Sequence, residues 1–220
     1  MPQALIVGAS RGIGLGLVRE YAERGWTVTA TVRDEAAAAA VQDAGAAVEV
    51  VDVTDETSRA TLAQRLEGRS FDAVILNAGV SGPRRMGGPD ADLLQTLHAN
   101  AVGPTQLAWA LKNTLKPGGV LAFTTSQMGS IADSSGGADT YRASKAALNA
   151  YARAFFKAGA EPKGVAVLSL HPGWVKTDMG GENAPVSVED SARGLVDVIA
   201  AHAGRVEHRF LDYTGKELPW

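Results

Sequence analysis

A single α/β domain, with a seven-stranded parallel sheet wound on both faces by helices, is the fold class these 220 residues predict. Three observations carry that prediction. Short runs of aliphatic and β-branched residues alternate with longer helical patterns along the whole chain, the rhythm of repeated strand-helix-strand units. No stretch rich in Pro, Gly and Ser is long enough to divide two domains, and no fixed repeat appears. A glycine-rich turn comes directly after the first apolar run, where folds of this class place a ligand.

Taken in order, the first strand is read at 4–7 and the first helix at 14–24, beyond the glycines. A second strand at 26–32 alternates Thr and Val, and the helix at 35–42 contains five successive alanines, the strongest helix formers. The pattern continues with a strand at 47–51, a helix at 56–67, a strand at 71–76 and a long helix at 92–114. A strand at 119–125, a helix at 140–157, a strand at 165–170, a helix at 188–203 and a last strand at 208–211 complete it. The loosest segments, 79–89 and 179–186, come after strands four and six. Ligands of open α/β sheets bind beyond the carboxyl ends of the strands, so these loops are expected to cover a site.

Composition narrows the function. Hydrophobic residues are 45% and charged ones 20% of the chain, enough apolar material for a core. A formal net charge of −3 without blocks of like charge offers no general attraction for nucleic acid or anionic membranes. The absence of cysteine excludes disulfides, thiolate nucleophiles and cysteine metal sites. The chain opens into an apolar strand without a basic leader, and no apolar run reaches the roughly 18 residues of a membrane helix, so a soluble, unprocessed, cytoplasmic protein is expected.

The turn reads Gly8-Ala9-Ser10-Arg11-Gly12-Ile13-Gly14. A diphosphate can rest on a helix N-terminus only where no Cβ blocks the backbone, and the free N–H groups and helix dipole favour its charge. Further along, Tyr141-Arg142-Ala143-Ser144-Lys145 sets a phenol and an ammonium four residues apart, on one helix face. A nearby cation stabilises a phenolate, so Lys145 is expected to draw the Tyr141 pKa down from about 10 toward the working range. In isolation such a pair is an ordinary solvated helix face.

The spacing of the glycine turn, and the order of the later motifs along the chain, resembles the short-chain dehydrogenase/reductase superfamily, closest to its small C-factor-like and sniffer-like carbonyl reductases. That resemblance implies a Rossmann fold of one NAD(P)-binding domain with the catalytic site built in. It assigns Gly8, Ser10, Arg11, Gly12, Ile13 and Gly14 to the cofactor, with Asp52 and Val53 at the adenine and Asn77, Ala78 and Gly79 at the end of strand four. From the residues alone, Asp52 could equally cap a helix and Asn77 form a turn. Pro172, Gly173, Val175 and Thr177, after strand six, match the family's segment on the nicotinamide carboxamide. Ser126 matches the serine that holds the substrate oxygen, Tyr141 the proton donor, Lys145 its partner at the ribose, and Asn100 the asparagine that holds a water in the proton relay. His171 has no role in that pattern. Two departures stand out: Val7 replaces a frequent threonine, and the fifteen residues from Ser126 to Tyr141 exceed the family's commonest spacing.

The resemblance therefore implies hydride transfer between a nicotinamide and a small-molecule carbonyl or alcohol. NADP(H) is the expected cofactor, because NAD-specific relatives carry an acid at the end of strand two where this chain has Val32. Arg33 and Arg11 are placed to converge on a 2′-phosphate, and Asp34 would weaken the attraction if it folded inward. Ser81, Gln127, Met128, Ile131, Trp174 and Met179 are expected around the substrate. A silent NADP(H)-binding signalling or redox-sensing protein is the alternative. A sugar-nucleotide epimerase or dehydratase is disfavoured, since only about 40 residues lie beyond Thr177. Leu97, Trp109, Leu148, Tyr151 and Phe155 fall on the two helices that the family pairs in a four-helix homodimer contact, and a core role is equally open to them.

Overall fold

The computed structural model describes residues 1–83 and 89–220, and the middle of the expected covering loop, 84–88, lies outside the described residues. Seven parallel strands form one sheet in the order β3-β2-β1-β4-β5-β6-β7. They are β1 (Gln3–Val7), β2 (Thr27–Val32), β3 (Ala47–Val50), β4 (Phe71–Leu76), β5 (Leu115–Thr124), β6 (Ala166–His171) and β7 (His208–Asp212). The chain winds outward from β1 in one direction and from β4 in the other. A crevice therefore opens above the carboxyl ends of these two neighbours.

The inner strands are buried on both sides, which is why β1, β4 and β6 read as nearly continuous apolar runs, whereas no residue of the edge strand β3 is fully buried. In β1, Ala4 and Ile6 enter one core and Leu5 and Val7 the other. The first core lies under α1 (Gly12–Glu23), α2 (Ala38–Asp43) and α7 (Val188–His202), with Leu17, Tyr21, Leu195 and Ile199 at its centre. The second lies under α3 (Glu56–Arg65), α5 (Gly103–Leu111) and α6 (Asp139–Phe155), and contains Leu62, Leu107, Phe123 and Phe155. Leu148 and Phe155 are fully part of that core, at 1% and 0% exposure, and so leave the set of candidate subunit contacts.

The long helix expected at 92–114 is divided. α4 (Asp90–Leu97) and α5 are joined by a π-helical turn, His98–Val102, which carries Asn100 inward to full burial. One extra residue per turn re-aims a side chain, and such turns recur at functional sites. β5 begins four residues earlier than expected, at Leu115. A register irregularity between Phe71 and Ala73 lets the strand absorb Pro117, Gly118 and Gly119 instead of ending there.

Candidate active site

The cleft is assembled from the ends of β1, β4, β5 and β6 and the starts of α1 and α6. At its floor the glycine turn is drawn tight by backbone contacts. The Gly8 N–H donates to Thr31 Oγ1 at 3.1 Å and the Asn77 Nδ2 donates to Gly8 O at 2.9 Å. Gly8 has φ +86°, and a Cβ on Gly14 would lie 2.1 Å from the Gly8 carbonyl oxygen. No larger residue fits that position. Asn77 is thus a clamp between β4 and the turn, through its side chain and through its N–H, which bonds Val7 O at 2.9 Å.

On the opposite wall, Ser126 lies just past β5 at 6% exposure, and its hydroxyl accepts the Met128 N–H at 3.1 Å. Tyr141, in the first turn of α6, is half-buried and hydrogen-bonded with Ser126. The longer spacing between the two is taken up in the loop between them, where Gly136 and Gly137 have positive φ and Ala138 enters α6 at φ 52°. Lys145 is 3% exposed; its Nζ donates to Thr124 O at 2.8 Å and stands 5.7 Å from the centre of the Tyr141 ring.

These positions correct the expected electrostatics. Burial pushes the Tyr141 phenol up, only partly opposed by its hydrogen bond with Ser126. Burial also lowers Lys145 to about 8, so the cation expected to pull the phenol down is itself costly to charge. Tyr141 accordingly holds its proton at neutral pH, the state a donor needs.

Asn100 links the remaining parts. Its Oδ1 accepts the Val80 N–H at 2.7 Å, and its Nδ2 donates to Val80 O at 2.8 Å and to Ser144 Oγ at 3.0 Å. Both amide protons are spent, while Oδ1 accepts a single bond and keeps a lone pair. Gly79 lies between these groups: a Cβ there would be 3.1 Å from Asn100 Oδ1 and 3.5 Å from Lys145 Nζ. Two contributors carry no signal of their own in the sequence: Ser144, inside the Tyr-x-x-x-Lys segment, and Thr124, whose carbonyl anchors Lys145.

Residues 2–186 match the profile of the short chain dehydrogenase family. The chain belongs to that family. The C-signal protein of Myxococcus xanthus is 44% identical over 154 residues, covering 68% of this chain and 92% of that protein. The 1-hydroxy-2-glutathionyl-2-methyl-3-butene dehydrogenase of Rhodococcus sp. strain AD45 is 36% identical across the whole of both chains. A carbonyl reductase from Pseudomonas aeruginosa PAO1, solved in complex with NADP, superposes at a TM-score of 0.91 and 40% identity, again over the whole of both. The fold is that of the short-chain dehydrogenases, and the chain falls in their small carbonyl-reductase-like branch.

Whether this short-chain dehydrogenase can hold a dinucleotide is decided at the start of α1. That helix has no side-chain cap and no acid in its first turn, so its leading N–H groups are left for an outside anion. Ser10, Arg11, Gly12 and Ile13 lie there. Over them folds the segment after β6: Thr177 Cγ2 would be 3.2 Å from a Cβ on Gly12, and its Oγ1 accepts the Gly180 N–H at 3.1 Å. Pro172 is held through its carbonyl by Ser191 Oγ at 2.7 Å, and Val175 is 4% exposed. The residues present fit the group.

At the adenosine end the arrangement differs in part from expectation. Val32 is buried, at 1% exposure, and Arg33 is exposed beside it. Asp34 does not fold inward, because its carboxylate accepts the Ala36 N–H at 3.0 Å at the start of a short helical turn. Asp52 is held in a local turn by Thr54, whose hydroxyl and N–H donate to it at 2.7 and 2.8 Å; these bonds hold its carboxyl below the usual range. The nearby helix cap is Asp55, not Asp52. Arg11 points across the cleft and pairs with Asp178 instead of converging with Arg33. Both partners are largely in water, so a phosphate can compete for the guanidinium.

Of the residues expected around the substrate, Ser81, Gln127, Trp174 and Met179 are exposed, and the Trp174 indole is fixed by a 2.7 Å bond to Gly180 O. Ile131 lines a separate cavity behind α6. His171 is largely buried and burial lowers its pKa, which disfavours the imidazolium a general acid would require.

Proposed function

We propose that this protein is an NADP-dependent carbonyl reductase, able to run in reverse as an alcohol dehydrogenase. The observation that carries the reading is the contact of Ser126 with a Tyr141 that keeps its proton, on a helix whose next turn presents Lys145. The glycine turn, with Asp52, Val53, Asn77, Ala78 and Gly79 beyond it, would hold the dinucleotide, and Pro172, Gly173, Val175 and Thr177 would cover it. NADPH, when bound, supplies the hydride, and the difficult electronics are its own.

The chain's residues place and protonate. Ser126 and Tyr141 hold the substrate oxygen from one side, and Tyr141 Oη gives it the proton as negative charge develops there. Lys145 stabilises the phenolate left behind and, once the ribose is present, is expected to touch its hydroxyls. The proton is restored by a relay through Lys145 and a water held by Asn100. A positioned acid of this kind contributes about 10²–10⁴-fold.

Arg33, without a competing acid at position 32 and with Asp34 turned away, supports NADPH over NADH, as does the NADP complex of the Pseudomonas relative. The decisive assay monitors loss of reduced cofactor against a panel of aldehydes and ketones. NADPH should be consumed with a kcat/KM well above that of NADH; equal use of both defeats the cofactor assignment. The likeness to the C-signal protein favours a second reading, a silent NADP(H)-binding signalling protein. Tight NADPH binding with no turnover across the panel would establish it instead. A cytoplasmic homodimer through α4, α5 and α6 completes the proposal, supported by the exposed Leu94 and Tyr151 on those helices. A monomeric mass by light scattering contradicts it.

A further inference from the structure

The loop that joins Ser126 to Tyr141 has a catalytic hydroxyl at each end and few side chains to fix it between them. Residues 131–137 are all exposed, and a Cβ built on Gly136 or Gly137 would touch nothing within 4 Å. Without buried side chains, such a stretch holds its place through hydrogen bonds. Some of these are local: the Asp133 N–H donates to Ser130 Oγ at 3.0 Å, and the Arg142 guanidinium donates to Gly137 O at 2.8 Å and to Ser135 Oγ at 3.1 Å.

The middle of the loop is tied to a distant part of the chain. The Ala132 N–H donates to the main-chain oxygen of Trp220 at 3.1 Å, in the segment that follows β7. That segment doubles back along the strand, where Leu218 is buried and its N–H donates to Phe210 O at 2.9 Å. Trp220 then lays its ring on two side chains of β7, with centres 4.8 Å from His208 and 5.2 Å from Phe210. Both of those side chains are buried, so the ring rests on close-packed core. The bond to Ala132 also accounts for the place of Ile131, which lines the cavity behind α6 together with Trp220.

We propose that Trp220 is a positioning residue for the substrate end of the cleft. Its ring fixes the segment after β7, its main-chain oxygen fixes Ala132, and the middle of the loop is thereby kept behind α6. Gln127 and Met128, at the start of the same loop, then stay beside Ser126, whose hydroxyl accepts the Met128 N–H. The inference rests on the reading of the cleft as a carbonyl-reducing site. The glycine turn lies outside this chain of contacts, so cofactor affinity should not depend on it.

The test is Trp220→Ala in the full chain. Trp220→Phe keeps an aromatic ring, and Ala132→Pro deletes the N–H donor while leaving Trp220 in place. Hydrogen–deuterium exchange, measured without substrate, should quicken roughly three- to tenfold across 127–138 in Trp220→Ala and stay unchanged across the buried face of α6. In steady-state kinetics on the best substrate of the carbonyl panel, KM should rise roughly three- to tenfold in Trp220→Ala and Ala132→Pro, the worth of about one hydrogen bond. Neither kcat nor NADPH affinity should change by more than about twofold, within the spread of a surface substitution. Trp220→Phe should recover most of the KM. If thermal unfolding shows that Trp220→Ala has lost its fold, Ala132→Pro decides. Unchanged exchange over 127–138, unchanged KM despite faster exchange, a loss of NADPH affinity in step with KM, or no recovery in Trp220→Phe overturns the proposal. A wild type that turns over nothing on the panel counts against the reading of the cleft alone, and exchange then decides whether Trp220 holds the loop.

Discussion

The two walls of the cleft are built by opposite means. On the phosphate side the structure removes side chains: glycines at 8, 12 and 14 let a strand, a turn and a helix end approach one another, and the polar groups left over are backbone N–H. On the catalytic side it buries polar side chains, and Asn100, Ser126, Ser144 and Lys145 are all buried with hydrogen-bond partners within the chain. The first wall is sensitive to atoms added and the second to atoms taken away.

That contrast orders the expected effects. Tyr141→Phe removes one oxygen and should lower kcat by about 10²–10⁴-fold while NADPH affinity stays near wild type; steady-state kinetics beside cofactor titration checks it, and activity within tenfold of wild type would break the assignment. Gly14→Ala adds one methyl group against the Gly8 carbonyl. It should destabilise the fold by about 1–3 kcal/mol in denaturant unfolding and weaken cofactor binding with it. Arg33→Ala should reduce NADPH affinity roughly 10- to 100-fold and leave NADH almost unaffected, since a bond to a charged group contributes about 1.5–3 kcal/mol. Isothermal titration of both cofactors would show whether the loss is confined to the phosphorylated one.

A smaller effect is expected from Lys145. With its pKa lowered to about 8, the lysine is charged below that pH and neutral above it, so reductive kcat/KM should be level at neutral pH and fall as pH rises through about 8. A profile flat well above pH 8 would remove the ammonium from the mechanism. The smallest concerns Ala138, which enters α6 in the left-handed region at φ 52°. Ala138→Gly should relieve up to about 1 kcal/mol of backbone strain, read as a modest rise in Tm without change in kcat.

Legibility in the sequence divides along the same line. The sheet is legible because buried parallel strands are written as uninterrupted apolar runs, and the glycine turn because its spacing is local. Tyr141 and Lys145 are legible because helical geometry fixes residues four apart. The π-helical turn at Asn100 is not, since nothing in the composition of 98–102 distinguishes one extra residue per turn from a continuous helix. Pairings across the fold are also hidden: Arg11 with Asp178, and Lys145 with the Thr124 carbonyl, depend on how segments distant in sequence meet. The pKa of Tyr141 departs from expectation for the same reason, because it is set by burial among segments that lie far apart along the chain.

The most direct test of the account is a crystal structure with NADP⁺ and an alcohol product of the carbonyl panel. The account predicts the diphosphate on the N–H groups of residues 10–13, and the alcohol oxygen about 2.5–3.0 Å from both Ser126 Oγ and Tyr141 Oη. An oxygen that touches neither hydroxyl, with the cofactor in place, would contradict it.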